Sequence, residues 1–210
     1  LEKDQARLYD LIWKRAVASQ MASAEVEQTT AEILCLVRAA DPAAGVEKLR
    51  KHLQSYGRWE SAWESRLVAI PGDLARPRLG LTEPDFERLA QRADALLHNG
   101  ALVHFLHDYR TLRAPNVLGT QEMLRLACRG TAKPLHYVST LSVFHTDAFG
   151  QVGVARESDP LSDPAGLTGG YTQSKWVAEK LVAGAAARCT GAGRARTCRG
   201  SPVRCGSGTR

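Results

Sequence analysis

No run in these 210 residues approaches the ~20 continuous apolar positions that a helix needs to cross a bilayer. The charged start Leu1-Glu2-Lys3-Asp4 also lacks the apolar core of a signal peptide. Both absences make a cytoplasmic protein the expectation. Cysteine pairs are missing too. Cys35, Cys128, Cys189, Cys198 and Cys205 form no CxxC and sit at no metal-ligand spacing with histidine, so they read as buried or incidental reduced thiols. Acidic residues run out after Glu179, beyond which seven Lys or Arg follow. The formal charge of +6 therefore belongs to the end of the chain, and the body is close to neutral, which weakens a nucleic-acid reading drawn from net charge.

The chain is long enough for one domain with a real core, and 44% of it is hydrophobic. Three compositions follow one another. Residues 1–33 are rich in helix formers, with Leu8, Leu11 and Ile12 at i, i+3, i+4, and predict an amphipathic helix. Residues 34–184 alternate short β-type runs (33–37, 67–70, 95–97 and 136–139) with helical stretches (43–54, 83–92, 117–128 and 173–184), the rhythm of parallel βαβ units. Residues 185–210 show no hydrophobic period and are expected to be a disordered basic tail.

Chemistry concentrates in the middle segment. Tyr171-Thr172-Gln173-Ser174-Lys175 places a tyrosine and a lysine four residues apart, hence on one helix face. A nearby ammonium stabilises a phenolate and would bring the tyrosine down from its ordinary ~10, making Tyr171 an acid able to protonate a carbonyl oxygen. About thirty residues upstream, Tyr137-Val138-Ser139-Thr140-Leu141-Ser142 is an apolar strand ending in hydroxyls. Ligands of open α/β sheets sit at such strand ends. Gly72-Asp73-Leu74 and His98-Asn99-Gly100-Ala101 put small residues and a turn after two other strands, where backbone can approach a flat ring; each also fits an ordinary βα turn. Arg38 stands just past the strand 33–37, where an arginine accommodates the 2′-phosphate of NADP, or is a solvated surface residue.

Taken in order, Cys35-Leu36-Val37-Arg38-Ala39, Pro71-Gly72-Asp73-Leu74, His98-Asn99-Gly100-Ala101, Asn116-Val117-Leu118-Gly119-Thr120, His136-Tyr137-Val138-Ser139-Thr140 and Gly170-Tyr171 through Lys180 resemble the thioester reductase domains of carrier-protein assembly lines, which are extended short-chain dehydrogenases. The resemblance spans about residues 32–182. It implies NADPH-dependent reduction of an acyl thioester, held on an acyl or peptidyl carrier protein, to aldehyde or alcohol. Under it Thr140 and Tyr171 would hydrogen-bond the carbonyl oxygen, and Lys175 would lower the tyrosine pKa and touch the nicotinamide ribose. Arg38 would take the 2′-phosphate, Asp73 and Leu74 the adenine, and Asn99, Gly100 and Ala101 would pass along the cofactor. No metal is expected.

The family pattern also breaks. Its opening strand and TGxTGxLG phosphate turn are missing ahead of Ile33, and no Tyr-Arg-Pro-Gly stretch follows Val182. The expected fold is therefore a partial Rossmann-type, doubly wound parallel sheet without its first βα unit, and the expected activity is impaired. In place of the turn, the run from Lys3 to Thr30 resembles a short segment of bacterial type IA DNA topoisomerases, without that family's catalytic tyrosine motif or acidic cluster. Such a junction, with the basic ending, is what a rearranged gene product would show. Two other readings stay open: a nucleic-acid-binding module built on the two ends, with salt-sensitive affinity, and a sugar-nucleotide epimerase or dehydratase sharing the Tyr and Lys geometry.

Overall fold

The computed structural model describes residues 31–147 and 163–188, the single residues Arg156, Asp159 and Leu161, and the backbone of Arg196–Cys198. The helix expected within 1–33 and the topoisomerase-like run lie outside the described residues. The unit that begins at Ile33 alternates strand and helix. Its elements are β1 (Ile33–Val37), α1 (Pro42–Ser55), β2 (Leu67–Pro71), α2 (Glu83–Arg92), β3 (Leu96–His98), α3 (Tyr109–Arg113), α4 (Gly119–Cys128), β4 (Leu135–Val138), α5 (Gly170–Arg188) and β5 (Arg196–Cys198). All the strand pairs are parallel, in one ladder of β1 with β2 and a second of β3, β4 and β5.

Local chemistry accounts for the helix starts. Asp41 accepts the Ala44 N–H at 2.8 Å and Pro42 opens α1, so the cap and the fixed proline φ both favour a helix there. Thr82 caps α2 in the same way, accepting from the Asp85 N–H at 3.3 Å. Between α3 and α4, Ala114–Leu118 forms a π turn, with the Gly119 N–H reaching back to the Ala114 carbonyl. Pro115 lies inside that turn and has no N–H for an α-helical bond, a sufficient cause for the local rewinding.

Side-chain alternation shows that helices cover both faces. Cys35 pairs with Ala69, and Ala69 lies against Gly45 of α1, where an added Cβ would come within 2.6 Å of the alanine methyl. Leu36 points the other way, onto a cluster of Leu79, from the turn before α2, and Phe86, Ala90, Leu96, Leu126, Ala127 and Leu135, contributed by α2, β3, α4 and β4. Ala178 and Val182 of α5 pack on Tyr137 of β4, on that same second face. Since βαβ crossovers are right-handed, a helix on one face between β1 and β2 and helices on the opposite face after β3 mean that the strands step in opposite directions in the two halves. That is a doubly wound α/β arrangement.

The sequence predicts no regular structure for 185–210, yet α5 runs on to Arg188, and Arg196–Cys198 pair with His136, Tyr137 and Val138 as β5. The physical reason is the edge of β4, whose parallel ladder any extended backbone can extend whatever its side chains. The helix expected at 117–128 begins earlier, since α3 and the π turn carry it back to Tyr109.

Leu126 is 2% exposed and sits in the middle of the main cluster. Leu126→Ala is expected to lower the free energy of unfolding by ~2–5 kcal/mol in urea titration. A loss below about 1 kcal/mol would place the core elsewhere.

Candidate active site

Helix α5 starts where it does because residue 170 has no side chain. A Cβ on Gly170 would collide with the Asp108 carbonyl carbon and the Tyr109 nitrogen. The first turn of α5 thus lies directly on the backbone that leads into α3, and Lys175, one turn after Tyr171, reaches the carboxyl end of β4. Lys175 is 3% exposed. Its Nζ donates to the Val138 carbonyl at 2.7 Å and lies 4.2 Å from the centre of the Tyr137 ring. Burial drives its pKa down to about 8, against the opposing pull of Glu179.

Tyr171 is half-buried, with its ring edge-on to Phe105 at 5.9 Å. Burial raises its pKa above the ordinary 10, which corrects the expectation that Lys175 depresses it. The ammonium is turned toward Val138 and Tyr137, so desolvation prevails over the charge. A raised value keeps Tyr171 a neutral phenol, the form that donates a proton. Thr140 stands two residues past β4, and its hydroxyl accepts the Ser142 N–H at 3.3 Å and meets the Ser142 hydroxyl at 3.0 Å.

A buried polar network joins this helix to β3. Asn116, in the π turn, accepts the Leu102 N–H at 2.7 Å and donates to the Leu102 carbonyl at 3.1 Å and to Ser174 Oγ at 2.9 Å. Ser174 in turn donates to the Tyr171 carbonyl at 2.7 Å. Thr120 spends its proton on the Asn116 carbonyl at 2.7 Å, so the His98 nitrogen 2.9 Å from Thr120 Oγ1 is a donor, and the ring carries its proton on Nε2. His98 is 3% exposed, and burial, with a smaller contribution from Lys175, lowers its pKa to about 4. Sequence reasoning identifies none of Asn116, Thr120, Ser174, His98 and Glu179 as a site residue. All five fall inside the motifs that carry the family resemblance, which is their advance signal.

The residues expected to hold a cofactor line the strand ends. Arg38 is exposed directly after β1, and its carbonyl takes a hydrogen bond from Lys48 at 3.1 Å. Gly72 donates to the Val37 carbonyl at 3.0 Å, which sets the Asp73 turn beside the Arg38 end of β1. Asp73 accepts the Ala75 N–H at 2.9 Å. Leu74 lies over two glycines: a Cβ on Gly100 would be 2.6 Å from Leu74 Cδ1, and one on Gly119 would be 2.7 Å from the Leu74 carbonyl. The structure therefore brings the Asp73-Leu74 turn against the Asn99-Gly100-Ala101 turn.

This cradle suits a dinucleotide in part. An exposed Arg38 fits a phosphate, whereas the space beside Gly72 and Gly100 is taken by Leu36 and Leu74, so these glycines serve close packing of the turns. The N-termini of α1, α2 and α3 are closed by their own side chains, Asp41, Thr82 and Asp108, so these three helices present no free N–H cluster to a pyrophosphate. Among the described residues, no group of three His, Cys, Asp or Glu could hold a metal ion, and no helix is long and apolar enough to cross a membrane.

Comparison with known proteins matches residues 22–195 to the family described as male sterility protein, an NAD-binding family. The chain is 45% identical over 157 residues to a linear gramicidin synthase of Brevibacillus parabrevis, covering 75% of this chain and 3% of that protein. It is 38% identical over 161 residues to the L-2-aminoadipate reductase of Penicillium chrysogenum, in its large subunit, covering 72% of this chain and 11% of that protein. Among solved structures, the terminal R domain from the myxalamid PKS-NRPS biosynthetic pathway is similar with a TM-score of 0.74 and 48% identity, over 80% of this chain and 41% of that one. The chain thus spans a small part of its long relatives and less than half of the solved domain.

His98 supplies a pH test of the buried network. Its pKa is about 4 folded and 6.5 ordinarily, so the unfolded chain binds the proton first as pH falls. The stability that neutral His98 contributes is complete above pH 6.5 and is lost progressively down to about pH 4, by about 3 kcal/mol in all. Denaturant titrations at several pH values should show His98→Asn flattening that slope relative to the native sequence. Parallel slopes would mean that His98 is not buried as a neutral donor.

Proposed function

The chain belongs to the NAD-binding male sterility protein family, and from that membership we propose that it carries the reducing site for a thioester held on a carrier protein, with NADPH as reductant and an aldehyde or alcohol as product. The observation that supports the proposal is the Lys175 amine bound to the Val138 carbonyl at the end of β4, with Tyr171 one turn earlier on α5 and Thr140 two residues beyond Val138. Its similarity to the myxalamid terminal R domain and to aminoadipate reductase supports the same reading.

NADPH, when bound, supplies the hydride. The residues of this chain do the rest. Tyr171, a neutral phenol, hydrogen-bonds the substrate carbonyl oxygen and delivers its proton there as negative charge develops, and the hemithioacetal so formed loses the carrier thiol by C–S cleavage to leave the aldehyde. Thr140 turns its hydroxyl from Ser142 to the same oxygen, a second donor aimed at developing charge. Lys175 sets its ammonium over the Tyr137 ring, 4.2 Å from its centre. Its amine also holds the end of β4 at a fixed distance from α5 through Val138. Arg38 would take the 2′-phosphate and so favour NADPH over NADH, since an arginine neutralises a phosphate that an acidic residue would repel. Asp73 and Leu74 would flank the adenine, and Asn99, Gly100 and Ala101 would let the cofactor pass close to backbone. The partner is an acyl or peptidyl carrier protein, a reading supported by similarity to the terminal R domain of the myxalamid PKS-NRPS pathway.

The test is NADPH oxidation with an acyl-pantetheine thioester as substrate. Tyr171→Phe is expected to lower kcat by ~100-fold or more with little change in KM, as for loss of a general acid. Arg38→Ala should raise KM for NADPH and leave that for NADH unchanged. A Tyr171→Phe chain that turns over at the native rate would remove the tyrosine from the mechanism.

A further inference from the structure

Helix α5 buries two ionisable residues one turn apart, Lys175 at 3% exposure and Glu179 at 0%. A carboxylate held inside a protein costs several kcal/mol unless partners offset it, so its retention beside Val182 and Ala178 calls for a reason. One partner is Ser139, whose Oγ donates to Glu179 Oε2. Ser139 lies between Val138, whose carbonyl receives the Lys175 amine, and Thr140. Two successive residues at the end of β4 are therefore clamped by two successive turns of α5.

The electrostatic setting is one-sided. The other titratable groups near Lys175 are His98 from β3 and Tyr137 from β4, with Tyr171 one turn back on α5 itself. His98 is neutral above about pH 4, and both tyrosines are raised by burial and neutral through the same range. Among these described neighbours Glu179 is the counter-charge.

We propose that Glu179 is a positioning residue of this site: its buried carboxylate stabilises the Lys175 ammonium and, through Ser139, fixes the strand end that presents Thr140. The inference rests on Lys175 belonging to the reducing site, but its test reads Lys175 directly. The Cε resonance of Lys175 in 13C-lysine-labelled protein, assigned with Lys175→Arg, gives the pH midpoint of the amine.

Glu179→Gln keeps an acceptor for Ser139 and removes the charge. It should lower the Lys175 midpoint by about one pH unit or more, as expected for a unit charge within ~6 Å at an effective dielectric near 20. Glu179→Asp keeps the charge and should restore most of the midpoint. In the native chain, which needs no variant to fold, the Glu179 carboxyl 13C resonance should inflect at the same pH as the Lys175 amine. A Gln variant with an unshifted Lys175 midpoint, or a Glu179 resonance that passes through that pH without inflection, would overturn the proposal. Since neither readout involves turnover, failure of the reduction assignment would leave them standing.

Discussion

Placing the Lys175 ammonium at 3% exposure is unfavourable by several kcal/mol, and the surroundings of that one group are arranged to offset the cost. The Val138 carbonyl takes one of its protons, the Tyr137 ring face lies under it, and Glu179 stands one turn away. Each partner belongs to an element with other duties. Val138 ends β4, Tyr137 anchors Ala178 and Val182 of α5, and Glu179 holds Ser139. Satisfying the lysine therefore docks α5 on the sheet and sets the spacing of Tyr171 and Thr140 together.

The second support is the Asn116 clamp. An asparagine that bonds both polar groups of Leu102 makes the chain after β3 follow a single path, and its bond to Ser174 ties that path to the turn bearing Tyr171. His98 and Thr120 extend the network into β3 and α4. Because its members bond one another, the network can lie inside without the penalty of unmade bonds, and the turns at the strand ends gain rigidity from it. Membership of an NAD-binding family fits a scaffold whose turns and exposed Arg38 follow the carboxyl ends of parallel strands.

Much of this is legible in the sequence because it is local. The strands at 33–37 and 67–71 and the helix at 83–92 follow from short apolar runs, capping residues and prolines near helix starts. The Tyr171 and Lys175 pair follows from helical spacing, and the order of the turns follows from the resemblance to thioester reductases. What escapes is long-range. Asn116 meets Ser174 fifty-eight residues on, and Ser139 meets Glu179 forty residues on, so nothing near either residue announces its burial. The direction of the tyrosine shift is misread from sequence for the same reason, since charge proximity is visible in a motif and desolvation is not. The β5 ladder is hidden because it is backbone pairing in a segment without a hydrophobic period.

The most direct test of the central claim, that the strand ends from Arg38 to Lys175 form a cofactor site, is isothermal calorimetry of the whole chain with NADPH and NADH at moderate salt. The account predicts saturable binding at one site, tighter for NADPH than for NADH. Equal affinity for the two would contradict the role given to Arg38, and no heat from either would contradict the site itself.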